Sequence, residues 1–164
     1  QAVKLADRFQ GQHFDAIYVT TLRRTAQTAA PLAERLGITP RVEPDLREVH
    51  LGEWEGGLLR KHVAEGHPLV TKMNHEQRWD VIPGAESTER LAERVGAGIR
   101  RIAAAHPDQR VAVVVHGGVI GQVLAMATGA QPFTFIGSDN ASVSVLVVAG
   151  EQWIIRGYND VSHL

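Results

Sequence analysis

Apolar residues recur along this chain in two alternating periods, one typical of strands and one of helices. The clearest strand-like run is Val111-Ala-Val-Val-Val115, five consecutive apolar residues of which four are β-branched. Such a run reads as a strand buried on both faces, as in the middle of a parallel sheet. His116, Gly117 and Gly118 follow it, and then an apolar-periodic segment of helical length that stops at Gly129. A second strand, Asp15 to Val19, precedes a helix from Leu22 to Leu36 with Leu22, Ala26, Ala29, Ala33 and Leu36 on one stripe and Gly37 as its stop. Ser87 is placed to cap a further helix that turns Leu91, Val95, Ile99 and Ile102 inward, and Pro107 closes it. The pattern also predicts a helix over Ala2 to Phe9 and a short strand at Arg41-Val-Glu43. Ala141 to Val148 and Gln152 to Gly157 read as a hairpin. Glu48 to Pro83 has no clear period and reads as an irregular loop. Strand and helix in alternation predict an α/β fold, a three-layer α/β/α sandwich with a mostly parallel central sheet.

Composition narrows the classes of protein this can be. The 164 residues read as one domain, large enough to bury a real core. Hydrophobic residues make up 44% and charged residues 21%, an ordinary balance for a globular protein. The net charge of −1 offers no electrostatic footprint for nucleic acid or an anionic membrane, so neither is expected as a partner. No run approaches the roughly 18 apolar residues of a membrane span. With no cysteine, there is no thiolate nucleophile, disulfide framework or Cys-type metal site, which fits a cytoplasmic protein. The eight histidines form no close-spaced pair of the metal-binding kind, so neither metal nor cofactor is expected.

Three segments carry candidate chemistry. His116 stands where a strand gives way to a helix, at the crevice where open α/β sheets bind ligands. Gly117 and Gly118 let backbone N–H groups approach an anion, and the helix N-terminus adds partial positive charge. Arg23 and Arg24 occupy the first turn of the Leu22–Leu36 helix, where the macrodipole disfavours cations. A broken local rule points to function. Arginine suits a phosphate because its planar fork donates parallel, charge-assisted hydrogen bonds, although a solvated surface pair is the competing reading. Leu46-Arg-Glu48-Val-His50-Leu-Gly52-Glu-Trp54-Glu-Gly-Gly57 has the composition of a site-forming loop. Its Glu48 could act as a general acid or stand as a solvated carboxylate. Trp54 reads as a packing anchor.

Taken in order, Thr20-Thr-Leu-Arg-Arg24-Thr-Ala-Gln27-Thr28, Leu46-Arg-Glu48…Gly52-Glu-Trp54-Glu-Gly56, Pro83-Gly-Ala-Glu86-Ser87 and His116-Gly-Gly118 resemble the histidine phosphatase superfamily. This is the phosphoglycerate mutase-like group, and the resemblance is to its broad-specificity phosphatase branch. Asp139-Asn-Ala-Ser-Val143 and Asn159-Asp-Val-Ser-His163-Leu164 also resemble that branch. The resemblance implies hydrolysis of small phosphorylated metabolites through a phosphohistidine, without a metal. It makes Arg24 a phosphate-binding arginine, Glu48 the proton donor, His116 the second histidine of the site and the Gly117 backbone a phosphate contact. His116, Arg24 and Glu48 are then expected to converge at the carboxyl edge of the sheet.

The family's nucleophile lies in an Arg-His-Gly tripeptide, and these 164 residues contain none. The expectation is an upstream segment that supplies an apolar strand and that histidine. His13, His50, His62, His67, His75, His106 and His163 read as surface residues rather than substitutes. Two other functions stay open at this stage: phosphoglycerate mutase-type phosphoryl transfer, and non-catalytic phosphate binding. The short insert between Gly57 and Pro83 favours the phosphatase over the mutase. A homodimer is possible, and the pocket wall is expected from Leu58–Ile82 and Gly129–Asp139, with Arg60, Lys61, Arg78, Trp79 and Phe133 as candidates.

Overall fold

Three parallel strands form the centre of the molecule in the order β2-β1-β3, and the computed structural model describes residues 1–164 throughout. They are β1 (Ala16–Val19), β2 (Arg41–Val42) and β3 (Val111–Val113). Helices α1 (Ala2–Arg8) and α2 (Arg23–Leu36) lie on one face. Helices α5 (Thr88–Ala105) and α6 (Gly117–Thr128) lie on the other. The period of two decides which side chain meets which layer. Ile17 and Val19 of β1 join Ala6, Ala29, Leu32 and Ala33, while Ala16 and Tyr18 join Leu91, Val95, Ile102, Val119 and Val123. β3 repeats the division, with Ala112 and Val114 towards α1 and α2, and Val111, Val113 and Val115 towards α5 and α6. A three-layer sandwich results. The antiparallel hairpin of β4 (Val143–Ala149) and β5 (Gln152–Asp160) forms a separate two-stranded sheet.

Three expectations need correction. Val111–Val115 packs on both helix layers, as expected, but its five residues are half-buried rather than buried, because β3 pairs with β1 on one side only within Gln1–Leu164. The strand in the middle is β1, whose four residues are all buried. The buried face of α2 is Thr25, Ala29, Leu32 and Ala33, and Ala26 is exposed. Thr25 takes the inward position because its hydroxyl finds partners there, accepting from Thr20 N at 3.0 Å and donating to Leu22 O at 2.8 Å. The Glu48–Pro83 region is also more ordered than its sequence suggests. It holds α3 (Leu58–Ala64), α4 (Pro68–Glu76) and single 3₁₀ turns at Gly52–Trp54 and Trp79–Val81. Neither helix, at seven and nine residues, fills the window of about 11 residues over which helical periodicity can be recognised, so the pattern is invisible along the chain.

Helix ends follow local chemistry. Ser87 Oγ accepts from Arg90 N at 3.3 Å and starts α5. Gly37 and Gly129 end α2 and α6 in the left-handed region, at φ 64° and 67°. No helix is long and apolar enough to cross a membrane.

Candidate active site

Because the three strands are parallel, their carboxyl ends open at one edge of the sheet. Thr20 leaves β1 there, and Val114 to His116 leave β3. His116 is buried, and its backbone is extended (φ −133°, ψ 158°) at the N-cap position of α6. Its side chain makes no capping bond, so it is free to face the neighbouring strand. Nε2 lies 2.9 Å from Thr20 Oγ1, and Nδ1 accepts from Arg24 Nε at 3.2 Å. A guanidinium can only donate. Nδ1 therefore carries the lone pair, and the ring proton sits on Nε2 and donates to Thr20. Thr20 Oγ1 lies 3.3 Å from Thr25 Oγ1, whose hydroxyl ends on Leu22 O. This chain of hydroxyls fixes both the ring and its tautomer.

Electrostatics agree with that assignment. Burial, followed by the charges of Arg24, Arg94 and Arg47, holds the His116 pKa down to about 4. The ring is neutral at physiological pH. Arg24 itself is the second residue of α2, which has no acidic residue in its first turn and no side-chain cap. A cation at that end is unfavourable for the helix dipole, and its Nε is turned onto the imidazole.

Glu48 reaches the same place from the loop after the Pro44–Leu46 turn. Its Oε2 accepts from Gly118 N at 3.4 Å and its Oε1 from Val49 N at 3.0 Å. The first N–H groups of a helix lack internal partners, and a carboxylate rather than the N-cap side chain answers them here. Burial outweighs these bonds and raises the Glu48 pKa, which suits a group that must hold a proton at neutral pH. A Cβ on Gly118 would lie 2.7 Å from Glu48 Oε1, so the glycine is what lets the acid close on α6. Gly117 stands at the first position of α6, with its nearest outside neighbour, Ser138 O, 3.9 Å from where a Cβ would be.

The structure thus brings Arg24, Glu48, His116 and the start of α6 together. None of the other seven histidines hydrogen-bonds to Arg24, Glu48 or His116. His62 and His67 pack instead on buried Trp54, with ring centroids 4.5 and 5.2 Å away. Two pocket-wall candidates belong to the core: Trp79 and Phe133 are buried and stack with centroids 4.7 Å apart. Arg78 is held by Asp80 at 2.7 Å, whereas Arg60 and Lys61 are exposed on α3. A cleft lined by Pro44, Arg47, Glu48, His50, Glu86 and Arg90 opens beside the acid.

Sequence reasoning passed over Thr20, Thr25, Glu86 and Arg94 as participants in the site. For Arg94 a signal existed: it lies three residues after Leu91 and one before Val95, on the inward side of α5, where a charge demands a partner.

The fold and this cluster define a class: an α/β protein with cationic, imidazole and acid groups gathered around a helix N-terminus, as phosphoryl transfer requires. The comparisons with known proteins give the family. The model for the histidine phosphatase superfamily (branch 1) matches residues 1–161, and the chain belongs to that family. The metal-independent phosphoserine phosphatase of Arabidopsis thaliana is 36% identical over 100% of this chain and 69% of its own length. Phosphoglycerate mutase-like protein 4 of the same plant is 35% identical over 100% of this chain and 73% of its own. Among solved structures, Bacillus stearothermophilus YhfR has the same fold, with a TM-score of 0.84, 23% identity and coverage of 99% of this chain and 82% of that one. A mycobacterial glucosyl-3-phosphoglycerate phosphatase has a TM-score of 0.80 at 27% identity, covering 96% and 83%.

Proposed function

We propose that this protein hydrolyses small phosphomonoesters by passing the phosphoryl group to a histidine and then to water. The observation that carries this reading is the Arg24–His116 contact beside the start of α6, with Glu48 on the Gly118 amide. A dianionic phosphoryl group seated there would meet a guanidinium and backbone N–H groups, the charge stabilisation that phosphoryl transfer needs most. In the first step a histidine nitrogen bonds to phosphorus and the P–O bond to the leaving group breaks. Protonated Glu48 gives its proton to that oxygen. In the second step water attacks phosphorus, its proton passes to the Glu48 carboxylate, and the P–N bond breaks to release inorganic phosphate.

We assign the attacking histidine to residues of the gene product outside Gln1–Leu164. Arg-His-Gly does not occur within them, and no second histidine joins the site. The outer edge of β3 supports this: Val111–Val115 are half-buried and unpaired on that side, which is where a further strand delivering such a residue could pair. The short α3 and α4 of the insert favour a phosphatase, whose phosphoenzyme must be open to water, over a mutase.

The test is release of inorganic phosphate by the full gene product from an alkyl phosphate and from p-nitrophenyl phosphate. Arg24→Ala and His116→Ala should each slow both substrates by on the order of 10²-fold, as for loss of one preorganised donor. Glu48→Gln should slow the alkyl phosphate strongly and the aryl phosphate little, since only a poor leaving group needs the proton. Equal losses would remove Glu48 as the acid. An inert full-length protein that still binds phosphate would establish the non-catalytic alternative.

A further inference from the structure

Arg94 makes no hydrogen bond to Arg24 or His116; every N–H of its guanidinium is used on the segment that carries Glu48 or on the group that braces it. Nε and Nη2 form a fork onto Glu86, at 2.7 Å to Oε1 and 2.8 Å to Oε2. Nη1 donates to Asp45 O and Arg47 O, both at 2.7 Å, and Nη2 also donates to Glu48 O at 3.3 Å. These account for all five donors a guanidinium possesses. Glu86 completes the clamp from the far side: its N donates to His50 O at 2.9 Å and its Oε2 accepts from His50 N at 3.3 Å. The loop is thereby held on both sides of Glu48, at residues 45, 47, 48 and 50. The pair is well sheltered, with side-chain exposures of 22% for Arg94 and 10% for Glu86.

From this geometry we infer that Arg94, locked by Glu86, is the positioning residue for the acid Glu48, fixing where its carboxyl lies against the start of α6. The inference rests on the proposed role of Glu48 as proton donor. Sheltered ion pairs are weak sources of net stability, because desolvation offsets their attraction. What this one supplies is a rigid template, since a planar fork fixes direction as well as distance. A proton donor displaced by about 1 Å can cost on the order of 10²-fold in rate. Lysine in the same place keeps the positive charge near His116 but has a single nitrogen and cannot span Glu86 and three carbonyls. Arg94→Lys thus separates geometry from charge.

The experiment compares kcat/KM of the full gene product on an alkyl phosphate and on p-nitrophenyl phosphate, with melting curves to confirm folding. Arg94→Lys should lower the alkyl rate by about 10- to 100-fold and leave the aryl rate within about threefold. Added to Glu48→Gln, it should cause no further selective loss, because both changes remove the same proton. Glu86→Gln should act in the same direction and decides the matter if Arg94→Lys does not fold. Arg101 on the same helix also holds this region, through Glu43 at 2.8 Å and Asp45, but not the Glu48 carbonyl. Arg101→Ala should therefore leave the alkyl-to-aryl ratio unchanged. Equal slowing of both substrates by Arg94→Lys, losses that multiply with Glu48→Gln, or the same selective loss in Arg101→Ala would overturn the inference. If Glu48→Gln itself shows no selectivity, the acid assignment fails; if it does and the clamp variants do not, only the clamp fails.

Discussion

His116 is a buried imidazole facing cations, and that combination makes it a proton gauge of its own site. Its pKa of about 4 lies below the 6.5 expected of a free histidine. The unfolded chain therefore takes up this proton first as pH falls. The stability it contributes is complete above pH 6.5 and is lost as pH drops towards 4, by up to roughly 3 kcal/mol. His116→Gln should flatten that part of the stability curve, measured by denaturant melts between pH 7 and pH 4. Glu48 has the opposite sign: its raised pKa contributes stability at low pH that declines as pH rises past the ordinary carboxylate value. Inorganic phosphate should reverse the bias on His116, since a dianion between Arg24 and the ring favours the imidazolium. NMR titration of the ring should then show its pKa rising on phosphate binding. An unchanged value would place the anion elsewhere.

At the scale of elements, the site depends on two loops that are zipped together. Leu51 bridges to Ala85, Glu53 N donates to Pro83 O at 3.0 Å, and Glu86 N donates to His50 O at 2.9 Å. Gly52 makes the close approach possible: its φ is 55°, and a Cβ there would sit 2.2 Å from Pro83 O. Gly52→Ala combines a left-handed backbone with a backbone clash, so it should cost on the order of 1–3 kcal/mol and weaken activity with it. Thermal melts beside phosphatase assays would test this; an unaffected melting temperature would mean the two loops are joined in some other way. This zipper is also why the segment from Glu48 to Pro83 could not be read from its sequence. Its order comes from partners outside it, such as Phe133 against Trp79 and the Gly118 amide against Glu48, and leaves no period behind.

At the scale of the whole molecule, β3 is the exposed side of the parallel sheet. Val114 N donates to Tyr18 O, so the neighbouring Val113 N–H points away from β1. In the full gene product this amide should be protected from hydrogen exchange by the strand proposed to carry the nucleophile. Fast exchange at Val113 would remove that strand from the sheet. Ile17, fully buried in the central strand, should cost about 2–5 kcal/mol when cut to alanine.

The sequence by itself determined what local physics dictates. Alternating periods placed β1, α2, α5, α6 and the closing hairpin, glycines placed the ends of α2 and α6, and Ser87 placed the start of α5. The positions of His116 after a strand and of Arg24 at a helix start pointed to both as candidates for a phosphate site, because each sits where a simple packing role would not put it. Tertiary structure decided the rest. Which strand is central depends on which neighbours pair with it, and five apolar residues in a row cannot tell an edge from a middle. That Thr25 rather than Ala26 turns inward depends on a hydroxyl partner five residues away. That Arg94 grips the Glu48 loop depends on bringing residues 45–50 against a helix more than forty positions further on. Local periodicity carries no record of such contacts, since they are set by the packing of whole elements and not by the order of residues within one.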